Sequence, residues 1–284
     1  VGKDRVMATY RARVRARNHV AAFIKSFYRR SDMSMLELTP DFIKEFAAYL
    51  STEAGLRNGS IWANCMWMKG VVMKAHYNGL IPRNPFIQFH ISPNVKEREY
   101  LTEDELKAVM THEFADSKLA YIRDIFIFAS FTALSFVDIQ ELTNDNIVEV
   151  NGEKWILSKR HKTKVAFQVK LLDIPLQIVE RYRPMQKDNR IFPGLNYWSI
   201  CKPLKRMIRE CGITKSISFH CSRHGFATLA LSKGMPIESV SRVLGHTNIV
   251  TTQLYAKITT QKLDNDLTMF GDKLSKTFNG ITMS

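Results

Sequence analysis

Residues 220–255 read HCSRHGFATLALSKGMPIESVSRVLGHTNIVTTQLY, and the fold of the chain is decided by how this stretch is read. Apolar residues recur there at helical spacing in three runs, at about 222–233, 236–244 and 248–257. His220 and Arg223 are three apart and share one helix face, as a common anion pocket requires. Leu244-Gly245-His246 closes the second run, and Tyr255 follows nine residues after His246. A tyrosine on an apolar helix face is usually core. The chain has 9 tyrosines, so only its distance from His246 singles Tyr255 out.

Upstream of this helical layer the periodicity changes. Asn151-Gly152 lies between two β-type runs, 147–150 and 154–157, and is a type I′ hairpin signal. A third strand at 165–171 completes a small antiparallel sheet. Helical patterns follow at 173–183 and 196–211, and one near 260–275 lies towards the end of the sequence. Thr102-Glu-Asp-Glu105 is a capping box; the buried helix that follows is expected to continue through Phe131. Residues 91–100 are charged, have no apolar period and read as a linker. Before them, 4–30 forms one helix, with Tyr10, Val14, Ala21, Ile24 and Tyr28 on its apolar side. Thr39-Pro40 supplies an N-cap and a proline at N1 for a helix that buries Phe42, Ile43, Phe46 and Leu50. A third helix runs from about Ser60 to Asn78, with Gly79 just beyond it. The expected fold class is mainly α with a small antiparallel β-sheet. A helical domain occupies 1–90, a linker 91–100 and a mixed α+β domain 101–284.

The charge narrows the class of partner. A chain of 284 residues with net charge +14 calls for a polyanion, and nucleic acid is the usual one. Residues 1–90 hold 14 Lys and Arg against 6 Asp and Glu, so the smaller domain is the denser in positive charge. Arg11, Arg13, Arg15 and Arg17 wrap around the exposed side of the first helix. With Lys69 and Lys74 they are the candidate contacts to a DNA backbone, although such a run is also what a solvated helix face looks like. The 4 cysteines show no CxxC spacing and fit reduced thiols in the cytoplasm. Apolar runs such as 125–129 are too short to span a bilayer. The start has no apolar segment of a signal peptide. The glycines form no phosphate loop, which excludes an ATPase of that type.

His220-x-x-Arg223, Leu244-Gly-His246 and Tyr255, in that order and at those separations, resemble the catalytic core of the tyrosine recombinase (lambda or phage integrase) family. Within it they are similar to integrases of bacterial mobile elements of the Bacteroides conjugative-transposon type. Lys162-Thr163, entering the third strand, looks like the family's strand-loop lysine. Residues 131–142 look like its first arginine box, and the helical N-terminal part is similar to its SAM-like core-binding domain. The resemblance covers essentially all of 102–260. It implies a C-shaped clamp on double-stranded DNA, a homotetramer on two sites with strand exchange through a Holliday junction, and possible help from a DNA-bending accessory protein. It also implies that a C-terminal helix, with Leu263, Leu267 and Phe270 at helical spacing, docks on a neighbouring protomer. The same helix packed on its own core is the alternative. The sequence lacks an initiator methionine, and a preceding arm-binding domain is expected.

The family chemistry explains the residue types. Attack on a phosphodiester builds negative charge on the non-bridging oxygens, and cationic donors there stabilise the transition state more than the ground state. Arg223 offers a planar fork and His246 a further N–H. Tyr255 is the nucleophile, forming a 3′-phosphotyrosine that conserves the bond energy without ATP. A phenol with an ordinary pKa near 10 needs a proton acceptor, for which His220 is the candidate; Lys162 is the candidate donor to the leaving 5′-oxygen. No metal or other cofactor is needed when side chains supply the charge.

One position departs from the pattern. The family's first arginine falls at 135, and this chain has Ser135. Losing one cation at a phosphoryl transition state costs about 10³-fold or more. Arg123, on the preceding helix, and Arg160, two residues before Lys162, are the candidate replacements, with Ser135 leaving room or adding a hydroxyl. Asp138 orients its neighbours, and His224 is read as supporting structure. A zinc site from His220, Cys221, His224 and Cys211 fits no standard ligand spacing. Three other functions stay open at this point: a type IB topoisomerase-like enzyme, a catalytically weakened DNA-binding homologue, and a nucleic-acid-binding structural protein.

Overall fold

The computed structural model describes residues 7–93, 99–161, 164–186, 188–255 and 260–277. The chain divides into two compact units, Val1–Glu97 and Arg98–Ser284. No described helix is long and apolar enough to cross a membrane.

The first unit is helical: α1 (Met7–Phe27), α2 (Pro40–Thr52) and α3 (Asn58–Tyr77). The Thr39 hydroxyl accepts from the Phe42 N–H at 3.2 Å, and Pro40 begins the helix without needing a donor. Phe42, Ile43, Phe46 and Leu50 are all buried, one stripe of an amphipathic helix. Phe23 of α1 meets the rings of Phe42, Phe46 and Tyr49 at 5.1, 5.5 and 5.3 Å, and this aromatic cluster forms the core with Ile61, Cys65 and Val72 of α3. Arg11, Arg13, Arg15 and Arg17 are exposed on α1; Lys74 is exposed and Lys69 half-buried on α3.

The second unit begins with α4 (Glu103–Thr111), α5 (Ser117–Thr132) and the short α6 (Phe136–Gln140). The Thr102–Glu105 capping box closes reciprocally at 3.3 and 2.7 Å. The single helix expected through Phe131 is in fact two. His112 turns to an extended conformation and the Asp116 carboxylate accepts from Lys118 N–H, which caps a new helix. α5 is buried almost all round and packs against the sheet-side and C-terminal helices α7 (Asp173–Tyr182), α8 (Tyr197–Glu210) and α9 (His220–Ser232).

Between α6 and α7 lies a three-stranded antiparallel sheet in the order β1 (Ile147–Val150), β2 (Glu153–Lys159), β3 (Ala166–Lys170). Asn151 and Gly152 sit at φ of 52° and 78°, the two left-handed residues that a type I′ turn demands. Beyond α9 come α10 (Ile237–Leu244), α11 (Val250–Gln253) and α12 (Thr260–Thr277). Of the run expected at 248–257, one turn is helical among the described residues.

Candidate active site

α9 carries His220 and Arg223 on its first turn, His220 exposed and Arg223 buried. The Arg223 guanidinium is held between two helix ends. It donates to the Ala133 carbonyl at 2.8 Å, at the left-handed end of α5, and to the Leu244 carbonyl, at the end of α10. Both carbonyls lie at the negative end of a helix dipole, which favours a cation.

A second guanidinium reaches the same helix end from the sheet. Arg160, the residue after β2, is 5% exposed and donates to the Val243 carbonyl and to Asp138 Oδ2 at 2.7 Å. Its guanidinium carbon lies 4.1 Å from the Phe167 ring centroid, and its Nε has no hydrogen-bond partner among the described residues. Gly245 makes this approach possible. Its φ is +62°, and a Cβ there would stand 2.8 Å from Arg160 Nε. The motif glycine is thus required both by the helix cap and by the arginine beneath it.

Asp138 anchors this arrangement. Its carboxylate accepts from Arg160, from the Ser135 hydroxyl at 2.8 Å and from the His161 N–H at 3.0 Å. Burial alone raises its pKa, but the His161 N–H, Arg160 and Ser135 outweigh that and hold the carboxyl below its ordinary value. Ser135 is the N-cap of α6, and its hydroxyl donates to Asp138.

Burial lowers the Arg223 pKa to about 10, and the neighbouring Arg160 adds to the effect. His246, just beyond Gly245, is lowered to about 4 by burial and by the positive field of Arg223 and Arg160. It is therefore neutral at ordinary pH. Its Nδ1 lies 2.8 Å from the Thr252 hydroxyl, a contact that nothing in the motif spacing announced. The His246 and Tyr255 rings are parallel with centroids 6.4 Å apart. His224 stands edge-on to Tyr255 at 4.7 Å and to His220 at 5.3 Å. Tyr255 is half-buried against an apolar cluster of Ala133, Ala227, Leu231, Val240 and Leu244.

The structure thus brings together Arg223, His220, His224, His246, Tyr255, Arg160, Asp138 and Ser135. Arg123, the other candidate replacement, makes none of its described contacts with these residues. Arg123 is held at the break between α4 and α5, donating to the His112 carbonyl and to Asp124, both at 2.8 Å, and lying 5.8 Å from the Phe114 ring. Lys162 lies outside the described residues. Its neighbour His161 pairs with Glu141 at 2.7 Å. Cys221 turns into the core, where its sulfur meets the Ser218 N–H at 3.3 Å.

Two domain families match the sequence: the phage integrase family over residues 99–262 and the phage integrase SAM-like domain over 2–91. Among curated proteins, tyrosine recombinase XerA of Pyrococcus horikoshii is 32% identical over 177 residues, 57% of this chain and 58% of that protein. Tyrosine recombinase XerD of Listeria innocua is 26% identical over 204 residues, 66% of this chain and 67% of its own length. The chain thus matches between about half and two thirds of the length of these relatives. A structure of the Tn1549 transposon integrase in complex with a circular intermediate DNA superposes with a TM-score of 0.79 at 17% identity. That superposition covers 94% of this chain and 95% of the other and is a likeness of fold. With both families matched, the first of them over more than half of its length, the chain belongs to the phage integrase family of tyrosine recombinases.

Proposed function

We propose that this chain is a site-specific DNA recombinase, an integrase that cleaves and rejoins duplex DNA through Tyr255. The observation that carries the reading is the pair of buried guanidinia, Arg223 and Arg160, on the end of α10 beside His246 and Tyr255. Asp138 already pairs with Arg160, so the two buried guanidinia keep one net positive charge, and an anion beside Arg223 relieves the cost of holding it out of water. A phosphodiester is that anion. Its charge grows on the way to the pentacoordinate state, so the pair favours the transition state over the bound substrate.

The Tyr255 oxygen bonds to phosphorus, the bond to the 5′-oxygen breaks, and the 3′-phosphotyrosine keeps the strand ready for rejoining. His220 takes the phenol proton, and Lys162 gives one to the leaving oxygen. Arg160 takes the place of the arginine that Ser135 displaces. Ser135 does not replace that charge itself; it steadies the carboxylate that aims Arg160. The partner is a specific duplex site bound by a homotetramer, with an accessory DNA-bending protein, in the cytoplasm. Leu263, Leu267 and Phe270 are at least half exposed along α12, which suits docking on a neighbouring protomer.

A nicked suicide duplex carrying the target site, from which the cleaved 5′ end diffuses away, tests this. The chain is expected to form a covalent adduct that Tyr255→Phe abolishes. An adduct that persists in Tyr255→Phe overturns the assignment of the nucleophile. No adduct from the unaltered chain on its own site overturns the catalytic reading.

A further inference from the structure

We propose that Thr252 is a positioning residue for His246: its hydroxyl donates to Nδ1 and commits Nε2 to carry the proton that faces the phosphate. The inference rests on the recombinase reading and assigns a role to a residue outside the motif. Thr252 is fully buried in the single turn of α11, with its Oγ1 2.8 Å from His246 Nδ1. Its carbonyl accepts from the Tyr255 N–H at 3.0 Å. One residue therefore ties the histidine and the proposed nucleophile to the same turn.

A hydroxyl next to an imidazole nitrogen can either donate or accept, and the surroundings decide which. A neutral imidazole has one N–H and one lone pair, and the partner of one nitrogen sets the state of the other. If Nδ1 donated to Thr252, the lone pair on Nε2 would be turned towards the phosphate oxygens and repel them. If Thr252 donates to Nδ1, Nε2–H becomes a third donor beside the guanidinia of Arg223 and Arg160. Neutrality of the ring, kept by its burial and its cationic neighbours, leaves this orientation as the way His246 contributes. Full protonation would place three cations together.

The test uses ¹⁵N spectra of the imidazole at neutral pH, with adduct formation on the suicide duplex as the second measurement. In the unaltered chain Nδ1 is expected to be an unprotonated, hydrogen-bonded nitrogen and Nε2 a protonated one. Thr252→Val, which keeps the shape and removes the hydroxyl, should move the Nδ1 signal to that of an unbonded nitrogen. It should also slow adduct formation by about 10- to 100-fold, with duplex binding and thermal unfolding near those of the unaltered chain. Thr252→Ser should restore both signal and rate. A protonated Nδ1 in the unaltered chain, a Thr252→Val protein that reacts at the original rate, or a serine variant that restores neither, overturns the proposal. The spectra need no DNA. Absence of any adduct from the unaltered chain would therefore count against the recombinase reading alone.

Discussion

Arg160 and Asp138 form the residue pair on which the site depends most, since both are buried and each compensates the other's charge. Removing one partner leaves a buried charge without its counterpart, which costs about 3–5 kcal/mol. Arg160→Met should therefore lower stability by that order and reduce adduct formation by about 10³-fold or more. The double variant Arg160→Met, Asp138→Asn removes both charges while keeping an acceptor for Ser135 and His161. It should regain much of the stability in denaturant melts and none of the cleavage. Recovery of cleavage with stability would show that Arg160 only holds the fold. His246 provides the pH dependence at the same scale. Its folded pKa of about 4 lies below the ordinary histidine value of 6.5. Between these two values the unfolded chain binds the proton that the folded chain refuses, so this contribution is complete above pH 6.5 and fades as pH falls towards 4. Melting temperature against pH should show this acid loss in the unaltered chain and a shallower one in His246→Gln. Equal slopes would count against the lowered pKa.

Among the elements, α10 is defined by how it ends. Gly245 and Gly152 have nearly the same left-handed backbone, φ of 62° and 78°, but different surroundings. A Cβ at Gly152 meets nothing within 4 Å, so Gly152→Ala carries only the backbone penalty, about 1 kcal/mol. At Gly245 the same Cβ would collide with Arg160. Gly245→Ala should therefore cost more stability than Gly152→Ala and displace the guanidinium, reducing adduct formation while the hairpin variant reacts normally. Similar cleavage in the two variants would argue that Gly245 serves only as a helix cap. The two positions also show what could be read in advance. Caps and the Asn-Gly turn are local: Thr39, Thr102 and Asn151 each meet their partners within a few residues, so their signals lie in adjacent letters. Arg160 meets Val243, 83 positions away, and no spacing rule separates it from Arg123 as the proposed substitute cation. Thr252 was equally silent, because a threonine one turn before a tyrosine looks like any helical threonine until the imidazole is placed against it. The break at 112–116 was readable in principle from Asp116 and Ser117, but the apolar period of α5 masked it.

For the molecule as a whole, charge and core are separable. The first unit has its own aromatic core around Phe23, Phe42 and Phe46, and Arg11, Arg13, Arg15 and Arg17 lie outside it, exposed on α1. None of the four makes an ion pair among the described residues. Neutralising them should therefore leave the fold nearly unchanged, within about 0.5 kcal/mol, as for surface substitutions generally. Binding to DNA is another matter, since each phosphate neutralised by a basic side chain contributes about 0.9 to the slope of log K against log salt. If all four contact the backbone, changing them together to glutamine should flatten that slope by about 3.6. Affinity should fall uniformly across target and non-target duplexes, because backbone contacts carry no base sequence. A loss confined to the target site would instead make these arginines readers of bases. An unchanged slope would return α1 to a solvated helix face and move the DNA contacts to other basic positions of the chain, whose net charge of +14 leaves enough of them to choose from.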